Sequence, residues 1–238
     1  MTWSIIARDE PTGAIGIAVA TRFFAVGALL PHIDPAAGAV ATQALINPTY
    51  GPRGLRLLRE GVPADEVVRF LTASDAGESQ RQLHVMDKAG RFAAHTGSGC
   101  VDWCGHAVHD GFSVAGNMLA GPDVIAETAR AFRNGKALPF ARRLITALKA
   151  GEAAGGDKRG KQSASLLIHE GEEYPSLSLR VDDHADPLAE LERLETVSRE
   201  RFVHFARFFA TKDDPSGTYD RAVINAAIEA AVARDAGG

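Results

Sequence analysis

A threonine at position 2 is the first residue of this chain that could do chemistry, and it stands directly before a strand-like run. Apolar runs at residues 3–8 and 14–20 flank a turn at residues 9–13, which predicts two adjacent antiparallel strands. If Met1 is removed, Thr2 carries a free α-amine, whose pKa of about 7.7–8.0 lets it act as general base for the neighbouring hydroxyl. The sequence therefore predicts a nucleophile that is held on a rigid hairpin.

Three further groups carry side chains suited to acid–base work or to anion binding. His95 ends a predicted strand, where it could serve as a base or pack as a partly buried residue. Asn117 closes a later strand, and its amide could donate to an oxyanion or hold a turn between glycines. The loop at residues 155–163 combines three glycines with four charged residues. That composition suits an anion-receptive loop and also an exposed connector with solvated charges.

The segment at residues 100–109 holds two cysteines and two histidines, but their spacing does not predict a metal site. Cys100, Cys104, His106 and His109 crowd into one short loop and hairpin. Zinc sites usually have tighter Cys-x-x-Cys pairs that a longer span separates. Two cysteines also make no disulfide framework. We expect no metal and no cofactor.

The composition predicts a cytoplasmic protein that has neither a nucleic acid nor a membrane as its partner. The chain has 238 residues, 45% of them apolar, and a formal net charge of −4. Its acidic and basic residues are interspersed, which argues against a nucleic-acid surface or a polybasic membrane patch. No apolar run has signal-peptide length or approaches the roughly 18 residues of a membrane-spanning helix. We expect one domain over residues 1–238, with a helical extension from about residue 187.

The predicted elements come in blocks of strands and blocks of helices, which indicates an α+β fold. Two sheets, each covered by helices, would give a four-layer α-β-β-α sandwich. The predicted strands cover residues 3–8, 14–20, 38–45, 82–87, 91–95, 106–108, 112–115, 164–169 and 176–181. The predicted helices cover residues 52–60, 63–73, 122–133, 140–150, 187–209 and 219–233.

Seven short segments appear together, in order, along the chain. They are TWSI (residues 2–5), TRFFAVG (21–27), GAVATQ (38–43), NPTYG (47–51), HTG (95–97), GNML (116–119) and GGDKRGKQS (155–163). The set resembles DUF1028, an uncharacterised bacterial family of unknown function that is grouped with the Ntn-hydrolase superfamily. The resemblance runs from residue 2 to about residue 195. It implies the four-layer sandwich and amide hydrolysis by an N-terminal Thr, Ser or Cys.

The resemblance implies roles for individual residues, and the match to the superfamily is partial. Thr2 matches the N-terminal nucleophile, and Asp157 and Ser163 resemble residues that brace it. Ala20 and Gln43 stand where proteasome-like members carry an acid and a lysine. We take Thr2, His95, Asn117 and Asp157 as candidate catalytic residues that line one cleft, and Arg22, Gln43, Arg159, Lys161 and Ser163 as candidate substrate-binding residues.

Two functions stay open from the sequence. In the first, the protein is an amidohydrolase that acts on a small amide or peptide-like substrate, and the cations of the 155–163 loop favour an anionic one. In the second, an Ntn fold without activity serves as a binding or assembly module. A retained Met1, which blocks the amine, favours the second reading, as do the missing acid and lysine.

The C-terminal helices carry a broad apolar surface, which predicts a homodimer. The apolar residues are Leu188, Leu191, Leu194, Phe202, Phe205, Phe208, Phe209, Val223, Ile224, Ala227, Ile228 and Ala231. The alternative is that these helices pack on the sheets of their own subunit as an outer layer.

Overall fold

A computed structural model describes residues 2–236, which form two antiparallel sheets and, within that range, seven α-helices. The strands are β1 (Thr2–Arg8), β2 (Ile15–Thr21), β3 (Pro31–Asp34), β4 (Gly38–Ala44), β5 (Arg81–Asp87), β6 (Phe92–Thr96), β7 (Gly105–His109), β8 (Phe112–Asn117), β9 (Ser163–His169) and β10 (Leu177–Val181). The helices are α1 (Tyr50–Arg59), α2 (Ala64–Ala73), α3 (Asp123–Asn134), α4 (Phe140–Ala153), α5 (Pro187–Glu200), α6 (Phe202–Ala206) and α7 (Arg221–Ala236).

The chain divides into two compact units, the first ending at Leu191 and the second beginning at Glu192. The first unit contains both sheets and helices α1 to α4. The second contains most of α5 together with α6 and α7. The single domain over residues 1–238 stays a prediction.

The six-stranded sheet has the order β10-β9-β2-β1-β8-β7, so β1 lies inside it with a hydrogen-bonded neighbour on each side. The predicted hairpin is confirmed, because β1 and β2 pair antiparallel from Thr2 opposite Thr21 to Arg8 opposite Ile15. At its turn, Thr12 donates to the Asp9 carboxylate at 2.6 Å, and Gly13 has a φ of 74°, which favours glycine. The four-stranded sheet has the order β3-β4-β5-β6.

Strands β1 and β2 are covered on both faces, which explains why nearly all of their residues are buried. On one face, Ile6, Ile17 and Val19 pack against Ala39, Ala41 and Met86 of the four-stranded sheet. On the other face, a Cβ on Gly16 would lie 2.6 Å from the Leu144 side chain, so this glycine lets α4 approach the sheet closely. The far face of the four-stranded sheet packs on α1 and α2 through Val40, Leu58, Val67, Leu71, Leu83 and Val85.

Polar side chains also bridge the two sheets inside this core. His84 of β5 lies between Ser4 of β1 and Ser113 of β8, with Nε2 3.0 Å from Ser4 Oγ and Nδ1 2.6 Å from Ser113 Oγ. Ser4 Oγ in turn donates to Gln43 Oε1 of β4 at 2.6 Å. Because that bond uses the only Ser4 proton, the imidazole must donate from Nε2 and accept at Nδ1. Burial lowers the pKa of His84 to about 3, with a smaller lowering from His106.

The sequence places most elements correctly, with two clear errors. The single helix predicted over residues 187–209 is wrong. The chain forms α5 and α6 instead, separated at Arg201, whose φ of −151° lies outside the helical range. Strand β3 was not predicted. It is only four residues long and begins with a proline, which marks the edge strand that it forms.

The described residues contain neither a membrane-spanning helix nor a metal-binding cluster. No helix within residues 2–236 has the length and apolarity to cross a bilayer. No group of three or more His, Cys, Asp or Glu side chains in that range is arranged to hold a metal ion, and Cys100 and Cys104 are free thiols. The cytoplasmic location stays a prediction.

The neutral, buried His84 predicts a specific loss of stability in acid. Below pH 6.5 the unfolded chain binds a proton at this residue that the folded chain excludes. Stability should therefore fall as the pH drops from about 6.5 toward 3, by up to about 1.4 kcal/mol per pH unit. We expect His84→Gln to lose less unfolding free energy between about pH 7 and pH 4.5 in urea titrations. The variant His184→Gln, at an exposed position, should lose as much unfolding free energy over this pH range as the wild type does. An equal loss in the wild type, His84→Gln and His184→Gln would refute the role of His84.

Candidate functional site

Thr2 lies at the start of β1 and is the centre of the candidate site. It pairs with Thr21 of β2 on one side and with Asn117 of β8 on the other. The residue is only 7% exposed, and its Oγ1 lies 3.1 Å from Thr21 Oγ1, where either hydroxyl can donate. The side chain that the sequence singles out is therefore fixed inside the six-stranded sheet.

A cavity of about 220 Å³ lies against Thr2. Its lining residues are Thr2, Phe23, Val26, Leu29, Leu30, Thr42, Gln43, Ala44, Leu45, Ile46 and Arg159. Phe23 and Leu45 are 56% and 63% exposed, so apolar side chains stand where the cavity meets solvent. Of the described residues in this lining, Arg159 alone carries an ionisable side chain. The cavity is therefore an apolar space with one nucleophile candidate and one cation.

Three non-glycine residues have a left-handed backbone, two in segments that line the cavity and one next to Asn117, the β8 partner of Thr2. Ala25, Ala44 and Met118 have φ values of 51°, 69° and 55°. Ala44 lines the cavity, Ala25 lies between two lining residues, and Met118 follows Asn117. This conformation costs about 1–2 kcal/mol for a residue with a Cβ, and such outliers cluster at functional sites. The backbone around Thr2 is therefore held in a shape that local preferences do not favour.

Asp157 and Ser163 brace the segment that brings Phe23 and Val26 to the cavity. Asp157 Oδ2 accepts from the Arg22 backbone N–H at 2.9 Å, and its Oδ1 accepts from the Arg159 N–H at 2.8 Å. Ser163 Oγ donates to the Phe23 carbonyl at 2.5 Å and accepts from the Val26 N–H at 3.2 Å. Both side chains therefore shape the wall rather than face the cavity.

Gln82 of β5 is the hub that orients two amides next to Thr2. Its Oε1 accepts from Gln43 Nε2 at 2.7 Å and from Asn117 Nδ2 at 2.9 Å. Its Nε2 lies within 2.8–3.0 Å of Thr96 Oγ1 and of the carbonyls of Gly105 and Gly116. Gln82 thus links strands of both sheets and fixes which way the Gln43 and Asn117 amides point.

Three candidate residues are directed elsewhere, and none of them lines the cavity. His95 Nε2 lies 3.1 Å from the Glu78 carbonyl and 3.2 Å from its carboxylate. The Arg22 guanidinium donates to the Lys161 carbonyl at 3.2 Å. The Lys161 ammonium pairs with Glu152 at 2.7 Å and Asp186 at 3.0 Å. Burial opposes the charge of Lys161, but these two carboxylates outweigh it and raise its pKa.

Three polar residues near the site were not predicted from the sequence, namely Ser4, Gln82 and His84. Gln82 and His84 alternate with Leu83 and Val85, a pattern that normally indicates a strand with one solvent-facing side. Here the polar side of β5 faces the other sheet, and these polar side chains are fully buried. The alternation was the available signal, but it does not reveal what covers the polar face.

A family model and a solved structure relate this chain to proteins of one family. The model of a family of unknown function, DUF1028, matches residues 2–191. The solved structure of protein SPO2555 from Silicibacter pomeroyi, described as DUF1028, is 35% identical with a TM-score of 0.86 over 92% of this chain and 96% of that one. No curated protein matches. Anbu (ancestral beta-subunit) from Yersinia bercovieri is 12% identical with a TM-score of 0.37, over 82% of this chain and 96% of that one, a score too low to support an argument.

The hub role of Gln82 predicts a large loss of stability when its amide is removed. Gln82→Met keeps the length of the side chain but leaves the Gln43 and Asn117 amides and the Gly116 carbonyl without this partner. Each buried polar group that loses its partner costs about 1–3 kcal/mol, so we expect unfolding free energy to fall by about 3 kcal/mol or more. Urea titration measures it, with the exposed Gln80→Met as the matched control. If Gln82→Met lost no more unfolding free energy than Gln80→Met, the proposed role of the Gln82 amide would be wrong.

Proposed function

Because this chain belongs to the DUF1028 family of unknown function, we propose a function from its own geometry: hydrolysis of a small amide or peptide-like substrate by Thr2 as an N-terminal nucleophile. The observation that carries the proposal is the position of the Thr2 hydroxyl. It lies on a central strand, is held 3.1 Å from the Thr21 hydroxyl, and lines a cavity with room for a small acyl group.

The proposed reaction begins after removal of Met1. The Thr2 hydroxyl attacks the substrate carbonyl carbon while the α-amine takes its proton, and the amine then gives that proton to the leaving nitrogen. Water hydrolyses the resulting ester with the amine again as base. Asn117 Nδ2 has two hydrogens, of which one is donated to Gln82. We propose that the second Nδ2 hydrogen of Asn117, together with backbone N–H groups, stabilises the oxyanion of the tetrahedral intermediate.

The α-amine of Thr2 is the base in this proposal, because the described residues that line the cavity include no other general base. No carboxylate, lysine or histidine side chain is among the described residues that line the cavity. Gln43 occupies the neighbourhood of the superfamily lysine, and its amide is already bonded to Ser4 and Gln82. An apolar lining favours the neutral form of an amine, which is the form that accepts a proton.

The lining also suggests the substrate class. Apolar side chains form most of the wall, and Arg159 adds one cation whose guanidinium lies 3.5 Å from Asp157. Asp157 already accepts two backbone N–H groups, so its charge is shared and Arg159 can still attract an anion. We propose a small amide that bears an apolar group and a carboxylate.

We also propose the four-layer α-β-β-α arrangement of Ntn hydrolases for the first unit. Two antiparallel sheets share one apolar core, and α1 and α2 pack on the outer face of the smaller sheet. Helix α4 packs on the outer face of the larger one, close to Gly16. These contacts support the arrangement.

An alternative is a binding or assembly module without activity. The neutral Gln43 and the buried Ala20, at the positions of the superfamily lysine and acid, favour this alternative. The cavity would then hold the same small anionic molecule without cleaving it. Binding without turnover in a protein that begins at Thr2 would identify this case.

We propose a homodimer that is built partly by α6 and α7. The chain itself buries Ile224, Ile228 and Ala231, but Phe202, Phe205, Val223 and the 85% exposed Tyr219 remain at the surface. Exposed apolar side chains in such number usually mark an interface. Light scattering at micromolar concentration measures the mass, and a value near the 25.2 kDa of one chain would contradict the dimer.

The decisive test of the enzyme compares proteins that differ only at the N-terminus. We expect protein that begins at Thr2 to hydrolyse members of a library of small carboxylate-bearing amides, and protein that keeps Met1 to be inactive. Thr2→Ala, also freed of Met1, should fall to the rate without enzyme, and Thr2→Ser should keep part of the activity. Thr12→Ala in the exposed turn is the matched control. Equal rates for Thr2→Ala and the Thr2 protein would refute the nucleophile.

A further inference from the structure

A second concave site lies at the other end of β1. Thr2 begins this strand and Arg8 ends it, so the two sites are about 20 Å apart along the strand. The second cavity has a volume of about 360 Å³. Its lining residues are Arg8, Asp9, Glu10, Pro11, His109, Asp110, Gly111, Phe112, Phe132, Arg133, Lys136 and Arg143. We call it the Arg143 pocket.

Among the residues that the structure describes, no carboxylate directly contacts Arg143, which is a partly buried cation. Its guanidinium lies over the Phe132 ring, 3.8 Å from the centroid, and its Nε donates to the Phe132 carbonyl at 2.7 Å. Burial lowers the pKa of Arg143, and the charges of Asp9 and Glu10 offset part of this effect. Its two terminal nitrogens remain as a planar pair of donors, the geometry that binds carboxylate and phosphate groups.

The other cations of the pocket also form no ion pair with a described carboxylate. Among the described residues, no ion pair within 4.0 Å joins Arg8, Arg133, Lys136 or Arg143 to a carboxylate, although three carboxylates line the same cavity. Elsewhere in the chain, arginines beside acids form direct pairs, as Arg81 does with Asp75 at 2.9 Å and Arg180 with Asp182 at 2.8 Å. Arg8, Arg133 and Lys136 are exposed and add positive charge to the pocket, whereas Arg143 is the cation that is partly buried.

His109 adds a donor that lacks an acceptor. An Arg133 Nη2 lies 3.4 Å from His109 Nδ1, and an arginine can only donate, so Nδ1 accepts and the ring hydrogen is on Nε2. Nε2 is shielded from solvent and has no hydrogen-bond partner in the described structure. The ring is fixed by stacking on Phe112, with centroids 4.7 Å apart. Nε2 is therefore a buried donor that lacks the partner such groups normally have.

We propose that the Arg143 pocket binds a small phosphate-bearing molecule. Arg143 holds two phosphate oxygens through its terminal nitrogens, and Arg133 and Lys136 supply further positive charge. His109 contacts Arg133 through Nδ1 and forms part of the pocket wall. This site lies apart from Thr2, so binding here does not depend on the proposed hydrolysis.

Titration of the whole protein with inorganic phosphate tests the proposal. Amide NMR shifts at constant ionic strength, with chloride and acetate as reference anions, locate the site and give its affinity. We expect saturable shifts at residues 8–11, 109–112 and 132–143 with phosphate, and only small linear shifts with chloride. Arg143→Gln should weaken phosphate binding by about tenfold or more, and Arg143→Lys should weaken it less.

The controls separate this site from general charge and from the Thr2 site. Arg142→Gln removes the same charge from the neighbouring residue of α4 and should leave the phosphate affinity unchanged. Thr2→Ala should also leave it unchanged, so failure of the hydrolase proposal would not affect this result. Far-ultraviolet circular dichroism checks that each variant folds. The proposal is overturned if phosphate shifts do not saturate, if acetate binds better than phosphate, or if folded Arg143→Gln binds phosphate as the wild type does.

Discussion

The hydrogen-bonded chain between the two sheets is the constraint on which the rest of the structure depends. It runs from Asn117 through Gln82 and Gln43 to Ser4, His84 and Ser113, and every member is buried. A polar group inside an apolar core must keep its partner, so the chain permits one registration of the sheets. A slip of β1 by one residue would turn Ser4 toward the helices and leave its partners without hydrogen bonds.

The same registration of the sheets determines the direction in which the Thr2 side chain points. Side chains alternate along a strand, so Thr2, Ser4 and Ile6 point toward the four-stranded sheet, while Trp3 points toward α3 and α4. The bond from Ser4 to Gln43 thus fixes the face on which Thr2 meets Gln43 at the cavity. Charge is distributed differently at the two ends of β1. Near Thr2, Arg159 lies close to Asp157, whereas no described carboxylate directly contacts the cations around Arg8.

The sequence predicts the frame of the fold better than the connections across it. The hairpin of β1 and β2 was predictable because apolar periodicity and turn residues are local signals, and Thr2 and the 155–163 loop were identified for the same reason. The directions of His95 and Lys161 were not, because Glu78, Glu152 and Asp186 become their partners only after folding. Gln82 and His84 were not recognised as core residues, because periodicity does not show that a second sheet covers them. The helix break at Arg201 was not predicted, because no proline or glycine stands at or beside this residue.

The left-handed backbone at Ala25, Ala44 and Met118 has a consequence for the stability of this chain. Glycine would adopt these conformations without the penalty that a Cβ incurs, so a chain selected for stability alone would drift toward glycine at such positions. This chain carries alanine or methionine at these positions, so the surrounding fold, and not the local preference of each residue, holds the three left-handed turns. Glycine at any of them would lower the local cost without changing the path of the backbone.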